Sequence, residues 1–304
     1  MLVSIVICSK NDGVYLKRTL ESIRTVKTAL DYEVIVVDDG SVDGSSEFLL
    51  ERNDFKNIKV IKTDGVGIAA AKSLGASHSK GEILIFCDAH IEVEDNWLEI
   101  LLAPILSGEA HGASPAFRSL EGSLPEFMLI ASSMDSLACG RTFKKLTESG
   151  WIYHGKPCPG IIESPILAGA CTAVTKGAFD TVRGYDPGLS GYGYDEEEIS
   201  LKLWMYGFRL LAVPGTCVKH LFPRIYPYKI NPKDMPKNRI LTAICHYKDE
   251  RVNRYLEAME DRPEAYSIYS ELMNDKEVIA RRDRYRKERK YDDDWFFNKF
   301  NLPF

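Results

Sequence analysis

The sequence predicts an α/β fold: a mainly parallel central sheet flanked by helices, followed by a helical C-terminal extension. Three observations predict it. Short apolar runs alternate with helix-period segments from Val3 onward. Acid- and glycine-rich turns close those runs, and beyond a Pro-rich passage the chain becomes charged and helix-periodic.

Val3 to Cys8 is a strand-length apolar run. Leu16, Leu20 and Ile23 then recur at helical spacing before a second run, Val34 to Val37, which makes a β-α-β unit. A helix is expected near Gly44–Leu50, a strand near Ile58–Ile61, a helix near Gly67–Ser77 and a strand at Ile83–Cys87. Strands separated by such helices form a parallel sheet with right-handed crossovers, whose ligands sit at the carboxyl ends of the strands. From Gly108 to Pro165 periodicity is weak. Gly140–Gly160 is rich in Gly, Pro, Trp, Tyr and Lys and reads as a lid over a site. A helix returns at Glu197–Tyr206 and a strand at Val213–Lys219. After His220, Pro223, Pro227, Pro232 and Pro236 separate a main domain, residues 1–230, from a mainly helical extension, residues 231–304.

Composition narrows the function classes. With 45% hydrophobic and 27% charged residues the chain is ordinary globular material, and no segment reaches the about 18 apolar residues of a membrane span. The opening residues carry no basic leader, so neither secretion nor membrane spanning is expected. The seven cysteines are scattered and form no C-x-x-C pair, which points away from a disulfide framework or thiolate zinc site and toward a reducing cytoplasm. The net charge of −5 gives no general attraction to nucleic acid. The block Arg281–Lys290 nevertheless holds seven bases against two acids; it reads as a solvated helix face, or as a contact for an anionic acceptor or a membrane surface.

The motifs at the strand ends carry the chemistry. Asp38-Asp39-Gly40-Ser41 closes the second strand, where an acid accepts hydrogen bonds from a ribose hydroxyl or a uracil N–H; a solvated cap would use the same residues. Gly65-Val66-Gly67-Ile68-Ala69-Ala70 matches G-x-G-x-x-A. It follows the third strand, however, while the first turn reads Ser9-Lys10-Asn11-Asp12-Gly13, so a dinucleotide site is not expected. Asp88-Ala89-His90 ends the fourth strand, and D-x-H in extended chain puts an oxygen and an imidazole on one side, a donor set suited to Mn²⁺ and similar cations. His220 closes a later apolar strand and is either a third ligand or a structural histidine. Asp195 to Glu198 are four acids at a helix start. They either complement the helix dipole or hold an acceptor hydroxyl and act as base.

Together these elements resemble the GT-A glycosyltransferases over nearly all of residues 1–230, including the broad bacterial family 2-like enzymes. The likeness is strongest to the catalytic domain of the polypeptide N-acetylgalactosaminyltransferases. Ser164-Pro165-Ile166-Leu167-Ala168-Gly169-Ala170 is similar to their S-P-x-x-A-G-G, and His220-Leu221-Phe222 with Pro227-Tyr228 is similar to their H-V-F-R-x-x-x-P-Y. The resemblance implies a UDP-sugar donor and Mn²⁺ (or Mg²⁺), with Asp88, His90 and His220 as metal ligands. It implies a donor site of Asp12, Asp39, Lys72, Asp88, Gly169, Tyr192, Arg224 and Tyr228, with Asp195 and Glu196 at the reaction centre. Retention of anomeric configuration is expected; the alternative is inversion, with Glu196 or Asp195 as base. Two positions depart from the family: Arg224 stands four residues after His220 rather than three, and Ala70 replaces an arginine. At this length the lectin domain of the animal enzymes is not expected. The acceptor therefore stays open among a glycan, a protein and a modified nucleic acid, with peripheral membrane contact also open. A non-catalytic nucleotide-sugar-binding protein is the alternative from another class.

Overall fold

In the computed structural model the described residues are 1–51, 55, 58–120, 137–154, 160–222, 226–259 and 263–302, with backbone alone for 51, 137–140 and 150–154. The chain runs β1 (Leu2–Ser9), α1 (Val14–Thr25), β2 (Asp31–Asp38), α2 (Phe48–Glu51), β3 (Ile58–Lys62), α3 (Ile68–Ser77), β4 (Ile83–Asp88), β5 (Ile91–Glu92) and α4 (Trp97–Leu106). It continues through β6 (Gly112–Ser119), β7 (Leu137–Lys145), β8 (Glu148–His154), β9 (Ile162–Glu163), β10 (Cys171–Thr175), α5 (Lys176–Thr181), α6 (Asp195–Met205) and β11 (Leu210–His220). It ends in α7 (Asp234–His246), α8 (Asp249–Glu257), α9 (Ala265–Asn274), α10 (Lys276–Glu288) and α11 (Asp293–Lys299).

The strands form one sheet in the order β3-β2-β1-β4-β10-β6-β11-β5. The parallel run expected from the sequence is β3-β2-β1-β4, in which the apolar runs of β1, β2 and β4 are covered on both faces and β3 is the partly exposed edge. Beyond β4 the sheet becomes mixed. β10 lies antiparallel between β4 and β6, β11 lies parallel to β6, and β5 and β9 lie antiparallel to β11. Leu16, Leu20 and Ile23 are the buried face of α1, as their spacing predicts, and each contributes about 1.5–3 kcal/mol by leaving water.

Three expectations change. The weakly periodic stretch from Gly108 to Pro165 is not loop alone: it contains strands β6 to β9, of which β7 and β8 fall in the part read as a lid, with 121–136 and 155–159 outside the described residues. Its first strand, Gly112–Ser119, hides on both faces behind small side chains, so no alternation marks it. The helix expected near Gly44–Leu50 is only the four-residue α2. The basic block is solvated only in part: Lys287 and Lys290 are exposed, but Arg281 pairs with Asp186 at 3.1 Å, Arg286 with Asp249 at 2.9 Å, Arg282 also binds Asp249, and Arg289 donates to the His246 carbonyl at 2.6 Å. These bonds fasten α10 to the rest of the molecule.

Residues on both sides of position 230 share one apolar core, in which Val6, Phe86 and Trp204 join Ile240, Leu241, Tyr255 and Phe296. Buried charges cross the same boundary. Glu198 of α6 meets Lys202 at 2.8 Å and His246 of α7 at 3.1 Å, and Asp186 accepts from the Tyr285 hydroxyl at 3.0 Å. Among the described residues no helix is long and apolar enough to cross a membrane. Cys8, Cys87, Cys171, Cys217 and Cys245 are free thiols, and Cys158 lies outside the described residues.

Candidate active site

The carboxyl ends of β1, β2 and β4 open into a cavity of about 1480 Å³, which α6, α7 and the segment after β11 close on the other sides. At the end of β2, Asp39 is buried and already engaged. Its Oδ1 accepts from the Val66 N–H and the Thr63 hydroxyl, each at 2.6 Å, and its Oδ2 accepts from the Gly67 N–H at 3.0 Å. The acid thus shapes the G-x-G turn and keeps lone-pair capacity on Oδ2, with Lys10 Nζ at 3.9 Å. Gly67 has φ +90°, and a Cβ there would lie 2.8 Å from the Gly191 nitrogen. The glycine therefore serves a backbone-to-backbone contact, sealed by the Ile68 N–H donating to the Gly191 carbonyl at 3.0 Å. This is a different use of the motif from pyrophosphate binding after a first strand.

Asp88 ends β4 and His220 ends β11, and pairing of His220 with Ile91 of β5 sets His220 next to His90. One ligating atom from each of Asp88, His90 and His220 lies within 4.8 Å of the other two. His220 Nε2 is 3.0 Å from Asp88 Oδ2, and the two imidazole rings are 4.9 Å apart. Burial alone would raise the Asp88 carboxyl, yet the His220 hydrogen bond and the His90 charge bring it down to about 2. Burial lowers His220. Burial also opposes charge on His90, but there the Asp12 hydrogen bond prevails and the ring is raised.

The sequence places Asp12 in the donor site; the structure places it behind His90. Its Oδ1 is 2.8 Å from His90 Nδ1, while Oδ2 accepts from the Ser9 hydroxyl and the Lys10 N–H, both at 2.9 Å. A carboxylate on one ring nitrogen orients the other, here turned toward Asp88. The buried His220 Nδ1 has no hydrogen-bond partner among the described residues. An oriented imidazole, an imidazole left incompletely bonded and an ionised carboxylate fit a divalent cation.

On α6, Asp195 forms an ion pair with Lys72 of α3 at 2.7 Å, both side chains buried. Burial opposes the ammonium charge, but Asp195 more than offsets it, and Lys72 is raised well above its ordinary value. Lys72 is thereby a fixed cation that anchors Asp195 to the floor of the cavity. Glu196 binds Arg141 of β7 and accepts from the Gly169 N–H; Arg141 also reaches Glu197 at 3.2 Å and Ser149 at 2.8 Å. A Cβ on Gly169 would press on the Glu196 carboxylate, so a larger residue there would have to displace that side chain from the Gly169 N–H. Tyr192 meets the Tyr226 hydroxyl at 3.0 Å, with Tyr228 beyond it, and burial and that neighbour keep the Tyr192 phenol protonated. Asp39, Lys72, Asp88, Gly169, Tyr192, Asp195, Glu196 and Tyr228 all line the one cavity with Asp12, His90 and His220. Arg224 lies outside the described residues.

Sequence reasoning missed Arg141, Tyr226 and Arg239, which also line the cavity. Arg141 sits in the aperiodic stretch, and only its fold partners reveal it. Tyr226 stands in the segment whose ends were recognised, and its aromatic neighbours were a usable signal.

Residues 4–179 match the model of glycosyl transferase family 2, more than half of the chain. The chain belongs to glycosyl transferase family 2. It is 32% identical over 239 residues to polypeptide N-acetylgalactosaminyltransferase 8 of Drosophila melanogaster, covering 72% of this chain and 38% of that protein. It is likewise 32% identical over 239 residues to polypeptide N-acetylgalactosaminyltransferase 11 of Xenopus tropicalis, covering 75% and 39%. The chain thus spans about two fifths of the length of these curated relatives. The crystal structure of GalNAc-T7 with UDP, GalNAc and Mn²⁺ superposes with a TM-score of 0.78 at 25% identity, covering 99% of this chain and 56% of that one. S. aureus TarS in complex with UDP-GlcNAc shares the fold, with a TM-score of 0.60 at 14% identity, covering 88% and 78%. The fold is the GT-A arrangement that the strand-end motifs predict.

Proposed function

We propose that the chain transfers a sugar from a UDP-sugar to an acceptor hydroxyl with the help of Mn²⁺, retaining the anomeric configuration. The Asp88, His90 and His220 cluster carries this reading, because it opens into the same cavity as Asp39 and Asp195. The GalNAc-T7 structure, which contains UDP, GalNAc and Mn²⁺, supports it. The cation, held by those three residues, would act as a Lewis acid on the diphosphate. Asp39 would accept from the uracil N3–H through its remaining capacity. Tyr192 and Tyr228 would close on the donor, and Gly169 would lie against its sugar. As the bond from C1 to the diphosphate oxygen breaks, its electron pair leaves with the diphosphate. The acceptor oxygen bonds C1 on the same face, and its proton passes to the departing diphosphate.

Asp195, fixed by Lys72, would orient the acceptor hydroxyl. Glu196 is committed to Arg141 and the Gly169 N–H, which supports retention over a mechanism that needs Glu196 as a free base. With a UDP-α-gluco- or galacto-configured donor we expect an α-linked product by NMR, and substantial activity in Glu196→Gln. A β-linked product with a dead Glu196→Gln enzyme, the loss of about 10²- to 10⁴-fold that general-base removal gives, would establish inversion. UDP bound without sugar release in Mn²⁺ would instead indicate a binding protein.

Asp39→Ala should lose UDP affinity and loosen the Gly65–Gly67 turn. Calorimetry in Mn²⁺ should show UDP bound more tightly than GDP. Equal affinities, or wild-type UDP binding by Asp39→Ala, would contradict the uracil assignment.

A further inference from the structure

We infer that the acceptor carries an anionic group, a carboxylate or a phosphate, and that Arg239 of α7 receives it. This rests on the transferase reading above and adds to it the chemical class of the second substrate. The cavity, at about 1480 Å³, exceeds the roughly 300–1,000 Å³ of a single small-ligand site, so it has room beyond the donor. Its two arginines among the described residues are treated differently. Arg141 is consumed by Glu196 and Glu197. The Arg239 guanidinium lies over the Tyr194 ring at 5.7 Å and meets no carboxylate among the described residues.

Carboxylates of the same cavity lining have other partners. Asp195 is held by Lys72 and Glu148 faces Lys145 at 3.4 Å. Asp234 accepts from Asn231 at 3.0 Å and lies against the Gly191 backbone. Lys144, on the β7–β8 hairpin, lines the same cavity and adds a second positive charge without a carboxylate partner among the described residues.

A guanidinium stacked on an aromatic ring is pre-oriented, and its fork matches a carboxylate or phosphate in two parallel hydrogen bonds. Arg239 lies over Tyr194, the residue that precedes Asp195 at the start of α6, and on that ground we assign the anion it binds to the partner that Asp195 orients. The accepting hydroxyl and the anionic group then sit on one molecule, an acidic saccharide or a sugar phosphate.

The test begins with full-length protein saturated with UDP and Mn²⁺, which must bind UDP for the transferase reading to stand. Methyl glucoside, methyl glucuronide and methyl glucoside 6-phosphate are then titrated by calorimetry or saturation-transfer NMR. We expect at least one anionic glycoside to bind about tenfold or more tightly than the neutral one, with the preference lost in Arg239→Gln and partly kept in Arg239→Lys. Preference for the glucuronide names a carboxylate as the recognised group, and preference for the phosphate ester names a phosphate. UDP affinity should be unchanged in both variants, which also reports that they fold. Equal binding of neutral and anionic glycosides, no binding of any of them, or an anion preference that survives Arg239→Gln would overturn the proposal. So would a loss of UDP affinity in Arg239→Gln, which would assign the guanidinium to the donor. Failure of wild-type protein to bind UDP would instead strike the transferase reading itself.

Discussion

EDTA is expected to abolish both sugar transfer and sugar release from a UDP-sugar, and added Mn²⁺ to restore them. Three residues share this role, so His220→Ala should raise the Mn²⁺ requirement steeply. Asp12→Asn, which keeps the side chain but weakens its hold on His90, should reduce Mn²⁺ affinity by about 10- to 100-fold, as loss of an outer-shell partner does. Calorimetric Mn²⁺ binding in the presence of UDP separates the two positions without reference to turnover. A His220→Ala protein with wild-type activity at limiting Mn²⁺ would remove His220 from the metal set. Wild-type Mn²⁺ affinity in Asp12→Asn would reduce Asp12 to a feature of the first turn.

The second large effect concerns the Lys72–Asp195 pair. Lys72→Met leaves the Asp195 carboxylate buried without its partner, a change that costs about 3–5 kcal/mol. The double variant Lys72→Met/Asp195→Leu should recover most of that stability while remaining inactive, because the acid proposed to orient the acceptor is gone. Urea unfolding of the wild type, both single variants and the double variant yields the coupling energy. Single variants each within 1 kcal/mol of wild type would show that the pair is not the fixed floor described here. The pH dependence follows from the raised lysine: the pair's contribution is fully present below the unfolded-state lysine pKa and is lost only as pH rises through the higher folded-state value.

The parallel half of the sheet and its strand-end acids were legible because the signals are local. An apolar run followed by Asp39 or by Asp88 and His90 reads the same in sequence as in space. His220 was legible only as the end of a strand; its place beside His90 depends on the antiparallel register of β11 and β5. Arg141 left no signal, because β7 gains meaning only when α6 brings Glu196 and Glu197 against it. The pairing of the basic block was hidden for a related reason. Its counter-charges, Asp186 and Asp249, are distant in sequence, and local charge counting registers bases without the acids that meet them.

The ionic network between α6 and α7 also sets the smallest piece of this polypeptide that can stand alone. A fragment ending before α7 would expose Glu198 and Lys202, which are almost wholly shielded in the folded chain, and would strip Asp186 of both Arg281 and Tyr285. It would also lay open the aromatic surface now covered by Phe296 and Phe297. The residues after 230 therefore act as a keystone: they close over the buried ionic face of the helix that presents Asp195.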